Sequence, residues 1–98
     1  MQFSGFDWDD GNWPKCGKHG VSKAEIESLL FSKPLVLPDR TPGLNETRYN
    51  AVGLNEEGRY LFVVLTLRSS EDGTFARPIS ARYMHEKESS RYEQTRET

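Results

Sequence analysis

One stretch decides what this chain can become. Residues 60–67, YLFVVLTL, form a nearly unbroken β-branched, aromatic and aliphatic run. Such a run is the signature of a central strand buried on both sides. Turn residues bound it at 55–58, NEEG, and at 69–73, SSEDG, so the segments beyond those turns are its antiparallel neighbours. On one side lies 47–54, TRYNAVGL, with Arg48, Asn50 and Val52 on one face and Tyr49, Ala51 and Gly53 on the other. On the other side lies 74–83, TFARPISARY. Pro78 has no N–H to donate, so that last strand is predicted to be an edge there or to carry a bulge.

The N-terminal half reads as helices that cover this sheet. Residues 6–8, FDW, alternate apolar and acidic side chains and predict a short strand. A short helix is predicted from near Asn12, with Pro14 in its first turn and an end at Gly17 or Gly20. Lys18 and His19 sit between those glycines, where cations suit the negative end of the helix dipole. Trp13 reads as a core or interface anchor rather than a base-stacking platform. Ser22 and Glu25 form a capping box for a helix that runs to about Phe31, with Ile26, Leu29 and Leu30 as its apolar stripe. Ser32-Lys33-Pro34 stops that helix, residues 35–37 are a short strand, and 39–45, DRTPGLN, are a loop. The final helix, about 84–95, offers only Met84 and Tyr92 as apolar anchors. The expected fold is α+β in one domain, 1–98, with ends frayed over 1–5 and 96–98. About four antiparallel strands carry two N-terminal helices and a C-terminal one, the helices mainly on one face.

Composition narrows the function classes. A net charge of −2 creates no global field favouring nucleic acid, so any phosphate contact must come from local clustering of arginines. One cysteine, Cys16, cannot form an internal disulfide, and with two histidines there is no metal-ligand spacing. No apolar run approaches the roughly 20 residues of a membrane span, and the N-terminus lacks a signal-peptide pattern. The expectation is a soluble cytoplasmic protein with no membrane partner, metal or cofactor.

The chemistry concentrates in residues 75–92, FARPISARYMHEKESSRY, where a strand turns into a polar helix. Arg77, Ser80, Arg82, His85, Glu88, Arg91 and Tyr92 fall there together. Cationic donors, a hydroxyl, an imidazole and a carboxylate suit anion binding and proton transfer. The plain alternative is an edge strand followed by a solvated, salt-bridged helix.

Five blocks in order, F-D-W-D from Phe6, K-H-G-V-S from Lys18, R-Y-N-A-V-G from Arg48, F-V-V-L-T from Phe62 and R-P-I-S-A-R from Arg77, resemble the BrnT family. Those proteins are the toxin halves of bacterial type II toxin–antitoxin pairs. The resemblance implies a RelE-like fold and metal-independent endoribonuclease activity that inhibits translation. It also implies neutralisation by a BrnA-type antitoxin with a ribbon-helix-helix end, so that operator DNA is reached only through the antitoxin. Cleavage of this kind uses the 2′-hydroxyl of RNA as nucleophile. The protein must take its proton, stabilise a phosphorane and protonate the departing 5′-oxygen. The expected catalytic set is His19, Arg48, Arg82 and Glu46, with Lys18, Arg68, Arg77 and Ser80 on RNA phosphates and Glu88 and Tyr92 in support. His19 serves either as the base or as a helix cap, and Glu46 and Glu88 serve either as bases or as salt-bridge partners. The rival reading is a non-catalytic interaction module that binds a protein partner and co-regulates its operon.

Overall fold

The apolar run becomes β4, Tyr60–Ser70, third of five strands in a sheet of order β1-β5-β4-β3-β2. A computed structural model of the protein describes residues 3–32, 34–39 and 46–97. The other elements are β1 (Gly5–Phe6), a 3-10 turn (Lys15–Gly17), α1 (Lys23–Phe31), β2 (Leu35–Pro38), β3 (Tyr49–Leu54), β5 (Gly73–Tyr83) and α2 (Glu86–Glu97). β2 to β5 form the expected antiparallel array. β1 adds a fifth strand, parallel to β5 through Gly5 opposite Phe75 and Phe6 opposite Ala76. The chain start is therefore tied from Ser4, whose N–H donates to the Thr74 carbonyl at 2.7 Å, although fraying was expected up to residue 5.

One face of the sheet is dry. Leu61, Val63 and Leu65 of β4 have no exposed surface and pack with Ile26, Leu29 and Leu30 of α1 and with Cys16 and Val21. Burying such a side chain is worth about 1.5–3 kcal/mol, so this interface carries most of the fold. α1 starts where its sequence says: the Ser22 hydroxyl accepts from the Glu25 N–H and the Glu25 carboxylate reaches back to the Ser22 N–H. At its end the Ser32 hydroxyl donates to the Leu29 carbonyl. Burial around Cys16 pushes its thiol up to about 11, which leaves it an inert core group.

The other face is only partly covered. Phe62 and Val64 are half-buried, so β4 is not buried on both sides as its composition predicted. α2 crosses one end of that face, where Tyr92 meets Tyr60 edge to face at 5.1 Å. The helices thus divide between the two faces rather than gathering on one.

Two further expectations are corrected. The first N-terminal helix shrinks to turns and the 3-10 segment, because Pro14 has no N–H and the Trp13 ring lies over Gly17. A Cβ at position 17 would come within 2.7 Å of that ring. Trp13 itself packs on the core and against Trp8, as an anchor should. Pro78 lies at a bulge, since the register of β4 with β5 shifts between Val64, opposite Ser80, and Leu65, opposite Pro78. β5 is no open edge along its first half, where β1 covers Phe75 and Ala76. Among the described residues the edges lie at β2 on one side and, on the other, at β1 and the second half of β5. Apart from Asp39, the loop expected at 39–45 falls outside the described residues.

Candidate functional site

The half-open face is assembled by register. Residues directly opposite one another in paired strands point to the same side, so the pairings define rows across the sheet. Leu35, Val52, Phe62 and Arg82 form one row, and Leu37, Asn50, Val64 and Ser80 the next. In the third, Thr66 lies opposite Arg77, and the β3–β4 register continued one step past Tyr49 brings Arg48 opposite Thr66. Arg48, Asn50 and Val52 share this face as their alternation predicted. Arg68 follows on β4, opposite Phe75.

Three of the four arginines on this face are already paired. Arg77 holds Asp9 through two bonds of 2.9 and 3.0 Å and lies 3.3 Å from Asp7. This fork lowers the Asp9 pKa, helped by the Gly11 N–H. Arg68 pairs with Glu46 and lies 3.9 Å from Asp7. Arg82 holds Glu88 bidentately at 2.7 and 3.0 Å, with its guanidinium over the Phe62 ring at 4.8 Å. Arg82, with the His85 N–H as a second donor, holds the Glu88 carboxyl well down, at about 2. A carboxylate held so low is a poor base at neutral pH. Glu88 also fixes the start of α2 by accepting from that same N–H.

Arg48 is the exception. Among the described residues no carboxylate lies within ion-pair distance of it. Beside it are two buried polar atoms with no hydrogen-bond partner among the described residues, Asn50 Oδ1 and Thr66 Oγ1. Thr66 is 1% exposed. An orphaned buried polar group typically costs about 1–3 kcal/mol, so each calls for a partner such as a water, an ion or a ligand.

A family model described as the ribonuclease toxin, BrnT, of type II toxin–antitoxin systems matches residues 8–88. The chain belongs to the BrnT family. A search of curated proteins finds no match. The BrnT match takes in β2 to β5 together with Asp9 and Glu88, and leaves out Asp7 and Tyr92. Membership implies a cognate antitoxin.

Against that family background the ten expected site residues separate. Arg48, Arg68, Arg77, Arg82 and Ser80 share the open face, with Glu46 and Glu88 as counter-ions and Tyr92 as the aromatic anchor of α2. Lys18 and His19 do not join them. They lie exposed on the turn between Cys16 and Val21, both of which pack into the α1-side core, and neither makes an ion pair with the carboxylates of the open face among the described residues. The groove of about 420 Å³ between α1 and the β3–β4 turn is lined by Glu25, Glu56 and Glu57 and is unsuited to an anion. No group of three or more metal-ligating side chains gathers among the described residues. No described helix is long and apolar enough to cross a membrane.

Sequence reasoning missed Asp7, Asp9, Asn12 and Thr66. Asn12, 3% exposed, donates to the carbonyls of Asp7 and Pro78 and accepts from the Asp9 N–H. It thereby pins the acidic strand end against the bulge and delivers Asp7 and Asp9 to Arg77. The alternation of Asp7 and Asp9 around Trp8 was a usable signal for the acidic pair. The orphaned hydroxyl of Thr66 had none, because an apolar run with one threonine reads simply as a strand.

Proposed function

We propose that this BrnT-family chain is a metal-independent endoribonuclease of RelE-like architecture, and that it binds RNA on the open sheet face around Arg48. The supporting observation is the guanidinium of Arg48, unpaired among the described residues, on a face whose other arginines are neutralised internally. On this reading Arg48 takes the scissile phosphate. The 2′-oxygen attacks phosphorus, the bond to the 5′-oxygen breaks, and a 2′,3′-cyclic phosphate and a 5′-hydroxyl result. A guanidinium meets the developing charge of the phosphorane with two donors and keeps its own charge throughout. Arg82 cannot share that phosphate while Glu88 holds it. Its row also lies four residues of β4 from that of Arg48, about 13 Å along the strand. Electrostatic stabilisation is then the main contribution of the protein, since Asp9 and Glu88 are both held ionised.

A second reading, a non-catalytic module that binds a partner, is favoured by two features. The arginine pairing leaves little free positive charge, and Leu35, Leu37 and Leu54 are 44–53% exposed at or beside the β2 edge. Unpaired strand edges flanked by exposed apolar side chains invite an added strand. The antitoxin is expected to cover this edge or the adjoining open face under either reading.

The deciding experiment measures RNA cleavage by the purified chain in a chelator, on naked and on ribosome-bound RNA, with and without its antitoxin. Cleavage that the antitoxin suppresses is the expected result. Absence of cleavage on both substrates with antitoxin binding intact would establish the interaction module instead.

A further inference from the structure

Among the described residues Arg48 is a cation without a counter-ion, standing beside two buried polar atoms without partners. Asn50 Oδ1 can only accept a hydrogen bond, and Thr66 Oγ1 can accept or donate. The group that completes this corner is therefore anionic on one side and a hydrogen-bond donor on the other. A sulfate, or the phosphodiester of a nucleic-acid backbone by itself, supplies the charge and no donor. A deoxyribose phosphate supplies the charge but carries no hydroxyl beside it. A ribonucleotide supplies both, its 2′-hydroxyl lying next to its 3′-phosphate.

We propose that Arg48, Asn50 and Thr66 form a pocket for one ribonucleotide, with Arg48 on its phosphate and Asn50 and Thr66 on its 2′-hydroxyl, so that RNA is told from DNA there. The inference rests on the RNA-binding reading above and adds the residues that recognise the sugar. Register puts the three groups together: Arg48 and Asn50 are two apart on one face of β3, and Thr66 is the neighbour of Arg48 across β4. Both orphaned atoms are buried in the free chain, so a ligand reaches them only when a neighbouring side chain moves. Arg48, held by no carboxylate among the described residues, is the neighbour able to move onto a phosphate. A threonine hydroxyl kept without a partner at 1% exposure does nothing for the fold, since valine fills the same space. The 2′-hydroxyl both donates and accepts, which is how protein sites separate the two nucleic acids.

The test needs no turnover. A ribonucleoside 3′-monophosphate carries both groups and has no bond for the enzyme to cleave, and the 2′-deoxynucleoside 3′-monophosphate lacks only the hydroxyl. Both are titrated into the full chain and followed by amide chemical shifts, for the wild type, Asn50→Ala, Thr66→Val and Arg48→Ala. The wild type is expected to favour the ribonucleotide by about tenfold or more. Asn50→Ala and Thr66→Val should erase that preference while retaining the phosphate-dependent binding, and Thr66→Val should melt no lower than wild type. Arg48→Ala should weaken both ligands alike. Equal affinity of the wild type for the two ligands, lost on Arg48→Ala, would overturn sugar recognition and leave the phosphate site standing. Binding of neither ligand would overturn both. A lower melting point for Thr66→Val, with the preference kept, would show the hydroxyl to be a structural group.

Discussion

The two ends of the open face are built from similar materials and left in opposite states. At the α2 end Arg82 has a carboxylate in a two-bond fork, an aromatic ring under its guanidinium, and a helix fastened over it through Tyr92 and Tyr60. At the far end Arg48 has none of these among the described residues, and its neighbours include an amide oxygen and a hydroxyl that bond nothing there. A charge that is already neutralised holds structure. A charge left open, next to polar groups left open, is available to a ligand. The difference also separates two readings that sequence spacing had merged, since Arg48 and Arg82 looked equivalent as phosphate ligands.

The largest effect expected from this contrast is on catalysis. Arg48→Ala should slow RNA cleavage by about a hundred- to a thousandfold, the usual loss for one charge-stabilising donor, about 2.7–4 kcal/mol. Its denaturation midpoint should stay unchanged, and Arg48→Lys should restore little because an ammonium lacks the planar fork. Cleavage by Arg48→Ala at the wild-type rate would erase the contrast.

Arg82→Ala should do the reverse. It removes a half-exposed ion pair and a cation–ring contact, together about 1–2 kcal/mol, and should appear in urea unfolding and in faster amide exchange across α2. A loss of cleavage larger than that of Arg48→Ala would place the phosphate at the α2 end.

Acid should loosen the same end selectively. The Glu88 carboxyl is depressed in the folded protein to about 2 from an ordinary 4.5, so its stabilising effect is present above about 4.5 and is lost as pH falls from there toward 2. Melting temperature followed over that window should fall less steeply in Glu88→Gln than in wild type. An identical slope would mean that the Arg82 fork is not what holds α2.

The smallest effect belongs to His19→Ala. An exposed residue on a turn, outside the arginine pairs, should shift stability by no more than about 0.5 kcal/mol and leave the pH–rate profile as it was. A flattened profile would bring the K-H-G turn back into the chemistry.

What could be read in advance follows physical scale. β4, its two antiparallel partners and the capped α1 were legible because each depends on local pattern: an apolar run, alternation on β3, and Ser22 with Glu25. β1 was located but not its pairing, since two residues carry no sign of a parallel partner almost seventy positions away. The arginines could be named from their spacing and from the family resemblance. The pairing of Arg82 with Glu88, six residues on, was within reach of spacing, but the states of Arg68 and Arg77 were not, because their counter-ions come from Glu46, Asp7 and Asp9, distant in the chain. The position of His19 relative to the sheet was equally out of reach, since short-range spacing does not tell where a turn will end.

The bulge in β5 has one more consequence. Arg77 and Arg82 are five positions apart, an odd number, and side chains an odd number apart on a regular strand point to opposite sides. Ile79, the residue that lies between the partners of Val64 and Leu65 with no opposite number of its own, resets that count. It lets Arg77 stand with Arg82 on the open face while Ala76 and Ala81, also five apart, both turn inward to the core. A strand that kept Ile79 within a regular, unbulged ladder would be straighter and better paired. It would also have to turn one of the two guanidinium groups into the core and one of the two alanines out of it. One unpaired isoleucine therefore keeps the two chemistries of this strand on separate sides.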